Sequence, residues 1–200
     1  MKTRHWILCG ILLLFGGCNL YGFLSGLGTD VYHGRVVDEE TGLPLAGTVV
    51  TVIWGNSSYI GLEPGVREFL NAQETVTDSD GNFTLPVSAG LNRQLFTLVS
   101  DPWIVMYQPG YEPLMEDNFK RRGFETNDAL VVALKSGVTV KLRKLRKEEI
   151  RKYVDRSVVS PSDTPFERIP NLMRVINIQG KMAGITSPYT IETPEKGKLQ

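Results

Sequence analysis

Side chains that could act as nucleophiles or as soft metal ligands are few in this sequence of 200 residues. The two cysteines are Cys9 and Cys18, and the two histidines are His5 and His33. Because both thiols lie near the N-terminus, a disulfide framework, a thiolate metal cluster and a catalytic cysteine are excluded from the body of the chain. We expect a packing or surface role for His33, and no catalytic residue is predicted.

Cys18 has the most informative surroundings of any of these groups. A basic start with Lys2 and Arg4 precedes an apolar run from Trp6 to Phe15, which ends at Gly16-Gly17-Cys18. The run is shorter than the roughly 20 residues that a spanning helix needs, and small residues at its end are typical of a signal-peptidase cleavage site. The segment Leu14-Phe15-Gly16-Gly17-Cys18 resembles the bacterial lipobox, which implies that Cys18 is acylated and becomes the mature N-terminus.

The oxygen-bearing side chains show one pattern with a possible metal chemistry. Asp78, Asp80 and Asn82 follow each other at i, i+2 and i+4, a spacing from which oxygens can converge on Ca²⁺. The remaining ligands of an EF-hand loop are not in register, and Asp and Asn are also good turn formers. We therefore predict a turn here, with no metal site and no cofactor. Carboxylate pairs such as Glu39/Glu40 and Glu148/Glu149 are interpreted as solvated surface.

The elements that would position these groups are mainly strands. Short β-branched or alternating runs separated by turn signals predict a mainly β chain with the architecture of a β-sandwich. Asp80-Gly81 is typical of a tight hairpin turn. The runs cover residues 31–37, 48–54, 74–78, 82–87, 94–100, 103–107, 129–134 and 138–142.

Several of these segments also resemble a known family. The segments are Gly34–Asp38, Thr41–Gly47, Thr77–Leu85 and Pro109–Tyr111, and together they are similar to the carboxypeptidase regulatory-like domain. The resemblance covers residues 31–143 and implies a seven-stranded transthyretin-like (prealbumin-like) β-sandwich. Residues 55–73 and 113–127 are longer than such a domain requires, so we expect partner-specific surface there.

The rest of the chain is divided by composition. Residues 1–17 are predicted to be a lipoprotein signal peptide, residues 18–30 a short and rather apolar tether, and residues 144–200 a tail. Helical spacing predicts two short helices in the tail, at residues 144–154 and from Ile169 onward, followed by an irregular end. The basic segment 141–156 is interpreted as a solvated face, with contact to anionic lipid as the alternative.

These observations define the expected function. Lys and Arg number 22 and so do Asp and Glu, so no overall charge favours nucleic acid. We expect a non-enzymatic bacterial lipoprotein at the outer membrane, facing the periplasm, that presents its sandwich to a protein partner of the envelope. The alternatives are a carbohydrate-binding module, with Trp54, Trp103 and Tyr107 as a ligand surface, and a hydrolase that uses carboxylates alone.

Overall fold

The chain is mainly β in this computed structural model, which describes residues 30–58, 67–88, 97–99, 101–155, 160 and 163–185. The predicted signal peptide, most of the tether with Cys18, and the end of the tail from residue 186 lie outside the described residues. The strands are β1 (Asp30–Asp38), β2 (Val49–Ser58), β3 (Arg67–Val76), β4 (Asn82–Val87), β5 (Thr97–Val99), β6 (Trp103–Tyr107) and β7 (Val138–Leu142).

The strands form two sheets, which confirms the predicted β-sandwich. Sheet A has the order β4-β1-β7, with β1 antiparallel to β4 and parallel to β7. In sheet B, β3 pairs along one edge of β2. On the other edge, β6 pairs with Val49–Ile53 and β5 pairs with residues 56–58, so sheet B is three strands wide.

Two apolar cores arise because side chains alternate between the faces of a strand. Val50, Val52 and Trp54 of β2 face sheet A and pack in the core between the sheets. Val49 and Ile53 face the other way and pack in a second core. Sheet B is therefore buried on both faces, as near-continuous apolar strands require.

A helix over Asn127–Ser136, here α1, replaces the strand predicted over residues 129–134. The hydroxyl of Thr126 accepts a hydrogen bond from the amide of Ala129 at 3.1 Å and so caps the helix. Leu130 and Leu134, one turn apart, are fully buried in the core between the sheets. The run Ala129–Leu134 was misassigned because a short apolar run does not distinguish a strand from a buried helix.

The second helix, α2, covers Pro170–Met182 and confirms the helix predicted after Ile169. Its buried residues include Leu172, Met173 and Ile176, which pack on the outer face of sheet B. Ile169 offers no side-chain cap, and the carboxylate of Glu74 on β3 accepts hydrogen bonds from the amides of residues 171 and 172 instead. Among the described residues, no helix is long and apolar enough to cross a bilayer.

Two other predicted segments differ from the structure. The helix expected over residues 144–154 is reduced to a 3-10 turn at Ile150–Tyr153, whose Ile150 and Tyr153 pack beneath α2. Residues 113–127 form 3-10 turns at Glu116–Asn118 and Lys120–Arg122, and they contribute Leu114, Phe119 and Phe124 to the core between the sheets. Residues 113–127 therefore mainly contribute apolar side chains to the core between the sheets.

Candidate functional site

The outer face of sheet A is the broad sheet face that the described residues leave uncovered. The helical layer lies on sheet B, and the inner face of sheet A lies in the core between the sheets. On β1, Tyr32 and Val36 point inward and are buried, whereas His33 is partly buried and Arg35 is exposed. The alternation of this strand thus places a histidine and an arginine on the outer surface.

Register brings polar side chains of both neighbouring strands beside these two. Thr84 of β4 lies opposite His33, and Asn82 lies opposite Arg35. Thr139 of β7 lies opposite Arg35 on the other side. We call the surface formed by His33, Arg35, Asn82, Thr84 and Thr139 the open face.

The side chains of the open face make few bonds to the protein. Arg35 donates from Nε to the carbonyl oxygen of Asp80 at 2.9 Å. Within the described part of the chain, His33, Asn82, Thr84 and Thr139 make no side-chain hydrogen bond. Their polar atoms are therefore left to solvent or to a binding partner.

A shallow hollow lies at the centre of the open face, beside Gly137. The hollow is broad and open to solvent, has a volume of about 370 Å³, and is lined by the open-face residues together with Gly34, Phe83, Gly137 and Val138. Gly137 has φ of 86°, and a Cβ on it would lie 2.9 Å from Nε2 of His33. The hollow thus depends on a left-handed glycine beside an imidazole.

A second polar cluster lies at the end of the sandwich where β1 and β7 finish, and it is engaged internally. The side chain of Glu112 is 2% exposed. Its Oε1 accepts hydrogen bonds from Arg121 at 2.8 Å and from the hydroxyl of Tyr153 at 3.1 Å. Its Oε2 accepts from Arg122 at 3.0 Å and from Arg143 at 2.9 Å. We call these five residues the Glu112 network.

The network extends to further carboxylates. Arg143 also donates to both carboxylate oxygens of Glu149, at 3.1 and 3.3 Å, and Glu149 accepts from the amide and the Nε of Arg146. Arg122 reaches Glu39 at 3.1 Å. The network therefore connects segments far apart in sequence through charge-assisted hydrogen bonds.

The ionisation of these groups follows from their partners. Burial alone would raise the pKa of Glu112, but the hydrogen bonds of Arg143 and Tyr153, with the charges of Arg121 and Arg122, lower this pKa below its usual value. Hydrogen bonds from Arg143 and Arg146 lower the pKa of Glu149 to about 2. Both carboxylates are thereby held as anions with their acceptor sites occupied.

The sequence-predicted aromatic surface is not formed. Trp54 is 5% exposed in the core between the sheets, and Tyr107 is fully buried in the second core. Trp103 is partly buried and packs against that second core. The rings are buried or partly buried because they lie on strands of sheet B, both faces of which are covered, so they offer no shared stacking platform.

Trp103 does line a small cavity of about 70 Å³, together with Asp101, Glu116 and Asn127 among others. Its indole N–H is buried and has no hydrogen-bond partner among the described residues. A cavity of this size holds on the order of one or two waters, which would satisfy such a donor. We therefore assign this cavity to hydration.

The other sequence-predicted sites are as follows. Asp78 accepts hydrogen bonds at Oδ1 from the amides of Asp80 and Asn82, at 2.9 and 2.8 Å, which confirms the predicted turn. Cys18 lies outside the described residues. In the described ranges, no group of three or more His, Cys, Asp or Glu side chains is arranged to hold a metal ion.

The two polar clusters were not predicted as sites. The alternation of residues 32–36 and 82–85 indicates which side chains share a face, but it does not show which sheet face stays uncovered. The excess of arginine and lysine in residues 141–156 is a signal for the Glu112 network, although it does not indicate a buried carboxylate as the partner.

Comparisons with known proteins provide no family assignment. No family model matches the chain, and no curated protein matches it. Among solved structures, 45% of the chain is similar to 13% of a 9R-lipoxygenase from Cyanothece PCC8801, with 16% identity and a TM-score of 0.26. The chain thus spans a small part of that protein, and a similarity at this level carries no argument about fold or function.

Proposed function

We propose that the protein is a non-catalytic, lipid-anchored lipoprotein that presents the open face of its β-sandwich to a partner in the bacterial envelope. The observation that carries this proposal is the contrast between the two sheets. Sheet B is covered on both faces, whereas sheet A exposes the polar side chains of the open face, which make a single side-chain hydrogen bond to the described residues, from Arg35 to Asp80. A protein partner is the leading candidate, and a carbohydrate is the second.

The chemistry of the Glu112 network supports a role without catalysis. A general acid or base needs a pKa near the working pH and access to a proton of the substrate. Glu112 is buried with four donors around it, and Glu149 is an anion with a pKa of about 2. These carboxylates are suited to hold chain segments together.

We also propose that the sandwich is of the transthyretin-like kind found in carboxypeptidase regulatory-like domains. The turns of the resembling segments support this assignment. Gly42 and Gly81 adopt φ of 69° and 75°, which only glycine adopts readily. A Cβ on Gly81 would clash with the carbonyl oxygen of Val36, so this turn packs closely on β1.

The anchor is proposed from the lipobox-like segment before Cys18. Each buried methylene of an acyl chain contributes about 0.8 kcal/mol, and stable anchoring requires more than one chain. We place the lipid in the outer membrane, with the sandwich in the periplasm. Strand β1 begins at Asp30, so a tether of residues 18–30 leads directly into the central strand of sheet A.

Intact mass of the membrane fraction tests the anchor. The wild type should lose residues 1–17 and gain the mass of a diacylglyceryl group and an amide-linked acyl chain. The Cys18→Ser variant should show neither change. A wild-type chain that keeps residues 1–17, or that gains no lipid, would exclude the lipoprotein assignment.

Site-specific photocrosslinking in cells tests the open face. A photoreactive amino acid at Thr84 should give a reproducible adduct with an envelope component. The same residue at Arg174, an exposed position on α2, is the matched control and should give none. Equal labelling from both positions, or none from Thr84, would count against the open face as the binding surface.

A further inference from the structure

The side chains that line the hollow of the open face are basic or neutral. Its lining includes Arg35 and His33 but no aspartate or glutamate. Asn82, Thr84 and Thr139 add an amide and two hydroxyls, each able to donate and to accept. The hollow therefore complements a ligand that carries negative charge together with hydroxyl groups.

Arg35 is oriented for such a ligand. Its Nε is occupied by the carbonyl oxygen of Asp80, which fixes the direction of the guanidinium on the exposed surface. The terminal nitrogens make no hydrogen bond to other described residues. A guanidinium with two free terminal nitrogens matches the two oxygens of a carboxylate.

The hydroxyl-directed groups lie on both sides of this arginine. Neighbouring strands are about 4.8 Å apart, so Asn82 and Thr139 flank Arg35 across sheet A, and Thr84 lies beside His33 one step along β1. The hollow is open to solvent, so a ligand would lie across it and stay partly exposed. The arrangement fits a ring that presents an acidic group and hydroxyls to one surface.

We propose that the hollow binds a carboxylate-bearing sugar unit of an acidic polysaccharide, with Arg35 on the carboxylate and Asn82, Thr84 and Thr139 on hydroxyls. This inference rests on the open-face binding role proposed above and develops the second of its two candidate partners, the carbohydrate. The hollow presents short hydrogen-bonding side chains and one guanidinium, which match the hydroxyls and the carboxylate of such a unit. Phe83, the aromatic residue of the lining, is itself buried beneath the sheet.

The binding test uses the chain from residue 18 onward with Cys18→Ser, which is the mature protein without lipid. Tetragalacturonate is the acidic probe, and maltotetraose is the neutral probe of the same length. Calorimetry at low salt should detect tetragalacturonate binding that weakens with added salt. Maltotetraose should bind at least about tenfold more weakly, because it cannot engage the guanidinium as a charged partner.

Variants locate the binding. Arg35→Gln should weaken tetragalacturonate binding by about tenfold or more, the effect of losing hydrogen bonds to a charged group. Arg35→Lys should recover part of this loss, because lysine keeps the positive charge but lacks the two parallel N–H donors of the guanidinium. Lys181→Gln removes one exposed charge from α2 on the opposite side and should leave binding unchanged. Thr139→Val, which keeps the shape of the side chain, serves as a second open-face variant if Arg35→Gln lowers the thermal midpoint.

The outcomes separate this inference from the proposed function. If tetragalacturonate does not bind, or if Arg35→Gln and Thr139→Val bind it as the wild type does, the inference is overturned. A reproducible protein adduct from Thr84 together with absent glycan binding would retain the open face as a docking surface and reject the sugar. If Thr84 gives no adduct and tetragalacturonate does not bind, both the open-face binding role and the sugar ligand are rejected.

Discussion

The Glu112 network and the open face contain similar polar side chains but use them in opposite ways. Glu112 is 2% exposed and accepts hydrogen bonds from three arginines and a tyrosine. On the open face, Arg35 makes one hydrogen bond to the backbone, and the other four side chains make none within the described part of the chain. Both regions contain arginine, yet only in the first does it have carboxylate partners.

The difference follows from the layers of the fold. The network joins the residues after β6, the 3-10 turn at Lys120–Arg122, the end of β7 and the 3-10 turn at Ile150–Tyr153, so its bonds hold the helical layer to the sandwich. The open face lies on the uncovered side of sheet A, where water can replace any bond that is not made. We therefore expect the stability of the fold to depend more on the buried residues of the network than on those of the open face.

The largest expected effect is on the network. Glu112→Gln keeps the size of the side chain but removes the charge that three arginines share. Because breaking a buried ion pair leaves uncompensated charge, we expect the free energy of unfolding to fall by about 3–5 kcal/mol. Urea denaturation measures this fall, and Arg35→Gln measured in parallel should lower the same quantity by less than about 0.5 kcal/mol.

Two outcomes would contradict the expected difference between the network and the open face. If Arg35→Gln were as destabilising as Glu112→Gln, the open face would belong to the structural framework. A near-neutral Glu112→Gln would show that the network contributes little to the fold.

Acid should weaken the network selectively. The lowered pKa values of Glu112 and Glu149 mean that their stabilisation is fully present above the unfolded value of about 4.5 and is lost as pH falls through the folded pKa. Glu74 has the opposite sign, because burial raises its pKa, so its contribution is lost as pH rises through the raised value. We expect a fall in unfolding free energy between about pH 5 and pH 2 that is smaller in Glu112→Gln. Equal slopes for the two proteins in urea titrations would contradict this.

Sequence reasoning predicted the sheets best where the alternation is clean. Residues 82–87 alternate polar and apolar, and β4 covers the same residues. It failed at residues 129–134, where β-branched residues favour a strand but the Thr126 cap and the burial of Leu130 and Leu134 select a helix. Tertiary contacts decide such short apolar runs.

The candidate sites were harder to predict for the same reason. The aromatic residues Trp54 and Tyr107 cannot be assigned to a surface without knowing that α2 and its neighbours cover sheet B. Glu112 meets arginines that lie 9, 10 and 31 residues away, so no local spacing marks the network. His33 and Arg35 are recognisable as polar positions of an alternating strand, but their exposure depends on the fact that the described residues form no second layer over sheet A.

A smaller effect distinguishes two arginines within the network. The side chain of Arg121 is 64% exposed, whereas that of Arg122 is 5% exposed and bonds Glu39, the carbonyl oxygen of Lys141 and Glu112. Arg121→Gln should lower the free energy of unfolding by no more than about 1 kcal/mol, because solvent screens an exposed ion pair. Arg122→Gln should lower it more. Thermal or urea unfolding of both variants checks this order, and equal effects would show that burial does not set the strength of the network bonds.

The smallest expected effect on stability is on the open face itself. Thr84→Val and Thr139→Val keep a β-branched side chain suited to a strand and remove one exposed hydroxyl each. We expect each to change the free energy of unfolding by less than about 0.5 kcal/mol, as for surface positions without structural bonds. A loss above 1 kcal/mol in urea denaturation would mean that these hydroxyls serve the fold. If stability is unchanged while the Thr84-directed adduct or the tetragalacturonate affinity is lost in Thr139→Val, the hydroxyl acts on a partner, and the two polar regions differ in purpose as well as in burial.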